Sequence, residues 1–129
     1  MTSERRLRSI FRQELHRFAK VYPHVAGVRL ILRAKHPEAN TTARDLGWYD
    51  YATQAVYLIR AALRRSEGHL RGIIRHELGH AADTETTFGY EARADRIAGQ
   101  VCGSPIRYTK EGLQHATHGK PRRPRWLHK

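Results

Sequence analysis

Residues 66–81 read SEGHLRGIIRHELGHA and predict the central helix of the fold. The apolar residues of this segment recur at the three- and four-residue spacing of a helical face: Leu70, Ile73, Ile74, Leu78 and Ala81. Ser66 is suited to cap the N-terminus, because its hydroxyl can accept a backbone N–H of the first turn. The HELGH segment at residues 76–80 therefore falls within a helix.

His76 and His80 are one helical turn apart in this prediction, so both imidazoles project from one face and can reach a single ion. That spacing suits Zn²⁺. Glu77 lies on an adjacent part of the same face and can accept a proton from a metal-activated water. The pattern predicts a zinc site, and the reaction best suited to it is peptide hydrolysis with Glu77 as general base.

Two histidines make an incomplete catalytic site, because catalytic zinc generally takes three protein ligands plus water. Asp83 and Thr86 stand where the longer metzincin motif has glycine and histidine, three and six residues after His80. Glu91 and Asp95 are four residues apart on the next predicted helix and share a face. If that helix folds back, Glu91 can complete the site while Asp95 orients a ligand imidazole.

Two motifs follow one another in the chain, HELGHA at residues 76–81 and EARADRIA at residues 91–98. Together they resemble the HExxH plus ExxAD pattern of gluzincin-type zinc metallopeptidases, which include small bacterial and phage-encoded members. The resemblance implies that Glu91 is the third zinc ligand and that Asp95 supports the site. It also implies that the strand before the motif helix, residues 55–59, borders the cleft and pairs with extended substrate.

The connection between the two motifs leaves alternatives for the third ligand. Ten residues separate His80 from Glu91, fewer than in many gluzincins, which leaves room for only a tight turn. Asp95 and Glu85 are therefore the alternative ligands. Zincins commonly use a Tyr, His or Arg to stabilise the oxyanion of the tetrahedral intermediate. Position makes three residues candidates for that role: Tyr90, Tyr108 and His115.

The pattern along the chain predicts an α+β domain with a minimal zincin-like fold. Residues 3–20 carry apolar side chains at helical spacing among arginines, which predicts an amphipathic N-terminal helix packed on the core. Residues 28–32 and 55–59 are rich in branched apolar residues and predict two strands of a small sheet. The aromatic cluster at 48–51 is expected to turn the chain between them. A helix over residues 90–101 follows the motif helix and carries the third ligand.

Length and composition favour a single domain. The chain has 129 residues, 40% of them hydrophobic, which supports one modest core. We expect a metallopeptidase domain over residues 1–104 and a basic, irregular tail over residues 105–129. No apolar stretch approaches the roughly 20 residues that span a bilayer, which predicts a cytoplasmic protein. The resemblance implies that the cell is bacterial or phage-infected. Cys102 is the only cysteine, so any metal must use His and carboxylate ligands.

The charge of the chain supports a second hypothesis. Lys and Arg number 24 against 12 Asp and Glu, which gives a net charge of +12 and a pI of about 10.7. The excess lies near both ends, at residues 5–17 and 120–129, and either binds polyanions or forms a solvated surface. The alternative to a peptidase acting on peptides or proteins is a nucleic-acid-associated protein whose metal site is structural or degenerate. The two hypotheses combine in a DNA-targeted protease similar to SprT-like proteases, although their usual zinc-ribbon cysteines are missing here.

Overall fold

The computed structural model describes residues 1–34, 46–84, 90–103, 107–109 and 112–114. For Tyr90 and for residues 107–109 and 112–114 it describes the backbone only. Within these ranges the chain forms an α+β fold of three helices, a three-stranded sheet and a two-stranded hairpin. The elements in chain order are α1 (Glu4–Val21), β1 (Arg29–Arg33), β2 (Gly47–Asp50), β3 (Ala55–Ile59), α2 (Glu67–Ala82), α3 (Tyr90–Cys102), β4 (Arg107–Thr109) and β5 (Gly112–Gln114). Short 3-10 helices occupy Pro23–Val25 and Arg60–Arg64. The predicted α+β class is confirmed.

Strand β3 is the centre of the three-stranded sheet. It pairs in parallel with β1, where Val56 lies opposite Leu30, and antiparallel with β2, where Tyr57 lies opposite Trp48. All five residues of β3 are buried, which fits its uncharged sequence AVYLI. The prediction that residues 48–51 form a turn is wrong for the first three of them, because they belong to β2. Aromatic side chains favour a strand, and the Trp48 ring stacks on Tyr57 at a centroid distance of 5.1 Å.

Helix α1 packs against α2 through one face, as its periodicity predicts. The buried side chains of that face are Leu7, Ile10, Phe11, Glu14 and Phe18. Ser3 caps the helix, because its hydroxyl accepts a hydrogen bond from the Arg6 backbone N–H at 3.1 Å. The helix lies one residue later at each end than predicted. None of the helices in the described part of the chain combines the length and the apolar composition needed to cross a membrane.

The one acidic side chain on the buried face of α1, Glu14, joins this helix to α2. Its carboxylate accepts hydrogen bonds from Arg71 Nη1 at 2.7 Å and from Arg75 Nε at 2.9 Å. Burial raises the pKa of Glu14, but hydrogen bonds and charge from Arg75 and Arg71 outweigh burial, so the pKa lies below its usual 4.5. The ion pairs therefore hold α1 and α2 in one relative position.

Helix α2 lies between α1, α3 and the sheet. Ser66 caps it as predicted, accepting a hydrogen bond from the His69 backbone N–H at 3.2 Å. Strand β2 approaches the helix closely at Gly47, where an added Cβ would lie 2.6 Å from Leu58 Cδ2 and 2.9 Å from Ile73 Cγ2. This close approach brings the end of β2 beside the C-terminal half of α2.

Strands β4 and β5 form an antiparallel hairpin in which Tyr108 pairs with Leu113. Strand β5 contacts α2, and β4 contacts α3. These two strands lie within residues 105–129, much of which we expect to be irregular. The remainder of that segment lies outside the described residues, and the domain boundary at 104 stays a prediction.

Candidate metal centre

Helices α2 and α3 bring together the three side chains that the sequence predicted as metal ligands. His76 Nε2 and His80 Nε2 lie 3.1 Å apart, with the two rings nearly perpendicular at 87°. Glu91 Oε1 lies 3.2 Å from His76 Nε2 and also contacts His80 Nε2. Tetrahedral zinc with bonds of about 2.0–2.1 Å keeps its ligand atoms roughly 3.3 Å apart. The separations of His76 Nε2 from the other two donor atoms are therefore close to the spacing of ligands around one ion.

Glu77 lies beside these donors and is buried. One ligand atom from each of His76, Glu77 and His80 falls within 4.8 Å of the others, so this buried cluster could hold a metal ion. The three residues are only 1%, 4% and 7% exposed. Because Glu91 contacts both Nε2 atoms, the geometry favours Glu91 as the ligand carboxylate and leaves Glu77 for proton transfer.

Hydrogen bonds between imidazoles and carboxylates shift the pKa values of His76 and Glu91. Burial lowers the pKa of His76, but hydrogen bonds to Asp95 and Glu91, with the charge of Glu77, raise it to about 10. Burial raises the pKa of Glu91, whereas hydrogen bonds from the two imidazoles lower it to about 2. A site that holds a proton this firmly at neutral pH also favours a metal cation.

The pKa of Glu77 is displaced in the opposite direction from that of Glu91. Burial raises it, the His76 and His80 imidazoles oppose the rise, and the nearby Glu91 and Asp95 carboxylates add to it. A raised pKa makes a carboxylate a stronger proton acceptor. The raised pKa therefore distinguishes Glu77 from Glu91, whose pKa is lowered.

Asp95 supports the imidazole of His76. Its Oδ1 atom accepts a hydrogen bond from His76 Nδ1 at 2.6 Å, and both residues are buried. In a neutral imidazole this contact would favour the tautomer that carries its proton on Nδ1 and leaves the Nε2 lone pair for a metal. Asp95 therefore contacts the Nδ1 side of the His76 ring, whereas Glu91 contacts the Nε2 side.

Close contact between α2 and α3 delivers Glu91 to the imidazoles. Gly79 makes this contact possible, because a Cβ at that position would lie 2.3 Å from the carbonyl oxygen of Ala94. Across the connection between the helices, Arg93 Nε donates a hydrogen bond to Asp83 Oδ2 at 2.9 Å, and both side chains are mostly buried. The connection is short, and Glu91 nevertheless reaches both imidazoles.

The site opens into a cleft of about 170 Å³. Its lining comes from β2 and the residue after it, from α2 and from α3: Gly47, Trp48, Tyr49, Tyr51, His76, Glu77, His80 and Glu91. The Tyr51 hydroxyl lies 3.4 Å from His80 Nδ1, and its ring meets Tyr49 edge to face at 4.9 Å. Burial, with the charge of Asp83, raises the pKa of Tyr51, so this hydroxyl is protonated at neutral pH.

The wall of the cleft differs from the one that the resemblance implied. Residues 55–59 form β3, whose two edges are paired with β1 and β2, so its backbone cannot pair with an extended substrate. Strand β2 lines the cleft instead. Sequence reasoning missed Tyr51 because it treated the aromatic cluster as a turn. The spacing of two between Gly47, Tyr49 and Tyr51 is the signal for a shared strand face.

Four of the predicted site residues are not described in the structure at the level of side chains. Tyr90 begins α3 and Tyr108 lies in β4, but their side chains are outside the described part of the chain. His115 and Glu85 fall outside it altogether. Their roles as oxyanion stabilisers and alternative ligand stay predictions.

Comparison with known proteins does not identify a family for this chain. No protein-family model matches the chain, and no curated protein is similar to it. The crystal structure of the metallopeptidase zymogen of Pyrococcus abyssi abylysin is similar at 14% sequence identity and a TM-score of 0.45. That similarity covers 70% of this chain and 87% of the other. The function is therefore inferred from the geometry of the site.

Proposed function

We propose that this protein is a zinc-dependent peptidase in which His76, His80 and Glu91 hold the metal and Glu77 is the general base. The observation that carries the proposal is the convergence of two Nε2 atoms and Glu91 Oε1 beside a buried carboxylate. Two imidazoles and one carboxylate form a donor set typical of catalytic zinc, which keeps a fourth position for water or substrate. The cleft gives a peptide access to that position.

Each residue has a defined task in this reaction. Zinc held at the site supplies Lewis acidity toward a carbonyl and lowers the pKa of water. Glu77 accepts the proton of the attacking water and passes it to the leaving nitrogen of the peptide bond. Asp95 keeps His76 in the tautomer that presents Nε2. The substrate is accordingly a peptide or an unfolded segment of a protein that can enter the cleft in an extended form.

Metal analysis and a Glu77→Gln variant test the proposal. Purified wild-type protein should contain about one zinc ion per chain, and His76→Ala should lose it. Glu77→Gln should retain zinc, yet cleave a mixed library of quenched fluorogenic peptides at least about 100-fold more slowly, because proton transfer is lost. Glu67→Gln is the matched control, since Glu67 begins the same helix and pairs with Arg6 outside the cleft.

Two results would contradict the proposal. Wild-type protein that binds no zinc would remove the metal centre. Hydrolysis by Glu77→Gln at the rate of Glu67→Gln would remove Glu77 from its catalytic role.

Nucleic-acid binding through the basic ends of the chain stays a prediction. Among the N-terminal arginines, Arg6, Arg8 and Arg17 form ion pairs with carboxylates of the fold itself. Residues 120–129 lie outside the described part of the chain. Charge alone favours polyanions without selecting one, so peptide hydrolysis is the function that the geometry supports best.

A further inference from the structure

The two candidate ligand histidines are oriented in the same way. Their Nε2 atoms lie 3.1 Å apart and both contact Glu91 Oε1, so Nε2 is the atom that each ring presents to the site. The Nδ1 atoms consequently point away from the donors. On His76 this second nitrogen meets the Asp95 carboxylate at 2.6 Å.

The corresponding nitrogen of His80 meets a different kind of group. His80 Nδ1 lies 3.4 Å from the hydroxyl oxygen of Tyr51, which stands in the wall of the cleft. A neutral imidazole that offers its Nε2 lone pair to a metal carries its proton on Nδ1, and this N–H needs an acceptor. The Tyr51 hydroxyl oxygen is placed to accept it.

We propose that Tyr51 is a positioning residue of the metal centre, whose hydroxyl accepts a hydrogen bond from His80 Nδ1 and so aims His80 Nε2 at the ion. This inference rests on the proposed zinc site. It adds to that site Tyr51, the residue directly after β2, which belongs to no sequence motif. Tyr51 acts on His80 as Asp95 acts on His76. The metal centre therefore has one supporting group from α3 and one from the wall of the cleft.

The turn that carries Tyr51 is held in place by its neighbours. The Asp50 carboxylate accepts hydrogen bonds from the backbone N–H groups of Ala52 at 2.8 Å and Thr53 at 3.3 Å. Such a turn fixes the backbone on both sides of Tyr51. The edge-to-face contact with Tyr49 restrains the ring, although 58% of Tyr51 is exposed. The hydroxyl is thus directed at His80 by the hairpin between β2 and β3.

The support given by Tyr51 differs in strength from that given by Asp95. A carboxylate makes a shorter, charge-assisted hydrogen bond to an imidazole, whereas a neutral hydroxyl at 3.4 Å makes a weaker one. Loss of a supporting partner typically reduces metal affinity about 10- to 100-fold. For the Tyr51 hydroxyl we expect the lower end of that range.

The test is the zinc affinity of Tyr51→Phe, which removes the hydroxyl and keeps the ring. Competition with a chromophoric chelator near neutral pH should show a zinc dissociation constant about 10-fold higher than that of the wild type. Tyr22→Phe is the matched control, because it removes a hydroxyl from a ring that lies beside His24 and does not line the cleft. Its zinc affinity should equal that of the wild type.

A spectroscopic measurement separates positioning from general damage. Cobalt(II) bound in place of zinc should show a changed visible absorption spectrum in Tyr51→Phe and an unchanged one in Tyr22→Phe, since the spectrum reports the ligand geometry. Zinc affinity of Tyr51→Phe within twofold of the wild type, with an unchanged cobalt spectrum, would overturn the role of Tyr51 alone. Wild-type protein that binds neither metal would instead overturn the proposed function.

Discussion

Replacing Gly79 by alanine places a methyl group at the contact between α2 and α3. The added Cβ would lie 2.3 Å from the carbonyl oxygen of Ala94 and 2.9 Å from its carbonyl carbon. Ordinary contacts between heavy atoms begin at about 3.5 Å, so the overlap is roughly 1 Å. Both atoms belong to the backbone, so a side-chain rotation cannot relieve the overlap and the helices must separate.

The separation should affect stability less than it affects the metal centre. Overpacking costs about 1–3 kcal/mol, and the higher helix propensity of alanine offsets about 1 kcal/mol of it. We therefore expect a net loss of roughly 0–2 kcal/mol in the free energy of unfolding. Helix α3 carries both Glu91 and Asp95. Separating α3 from α2 therefore moves the proposed ligand and its supporting group together. The zinc dissociation constant should rise at least about 10-fold.

Two measurements follow the two effects. Urea unfolding of the metal-free protein gives the change in stability, and competition with a chromophoric chelator gives the zinc affinity. Gly27→Ala is the control, because a Cβ at Gly27 meets no atom within 4 Å; both quantities should remain near wild type. If Gly79→Ala binds zinc as tightly as Gly27→Ala does, the close contact of α2 with α3 is not what positions Glu91.

Two further substitutions test the buried carboxylates. Glu14→Gln should lower the free energy of unfolding, measured in urea at neutral pH, by about 3 kcal/mol, because it leaves buried arginine charge unpaired. Glu4→Gln is the control. The ion pairs of Glu4 are exposed, so their loss should cost less than about 1 kcal/mol. Since the pKa of Glu14 is lowered from 4.5, its contribution is complete above that pH and is lost as the pH falls through the folded-state value. The advantage of wild type over Glu14→Gln should therefore shrink below pH 4.5, and a constant advantage would contradict this account. Asp95→Asn should raise the zinc dissociation constant about 10- to 100-fold in the chelator assay, and unchanged affinity would leave Asp95 without a supporting role.

The helices were predictable because their signals are local. In α1 the apolar side chains repeat at helical spacing, and the helix ends within one residue of the predicted bounds. Strand β2 was not predictable in the same way, since it has only four residues and follows a loop-like segment. Its identity depends on pairing with β3, and the packing of Gly47 against Ile73 is a contact between residues distant in sequence.

The residues of the candidate site also differ in whether a local sequence signal predicts them. His76, Glu77 and His80 lie within one helix, so their spacing alone places them together. Glu91 shares the next helix with Asp95, and the motif resemblance indicated its role. Tyr51 is separated from His80 by 29 positions and reaches it only through the packing of β2 on α2. Nothing in the local sequence could indicate that contact.

The ion pair between Arg93 and Asp83 has a consequence for how a metal would be bound. It joins the end of α2 to the first turns of α3 through mostly buried side chains, and it does so without involving the donor atoms. A receptor assembled in advance does not have to order its chain when the ligand arrives, so less of the interaction energy is lost to conformational entropy. Because the ion pair joins the ends of the two helices, the donors of the proposed metal site would be positioned before a cation binds.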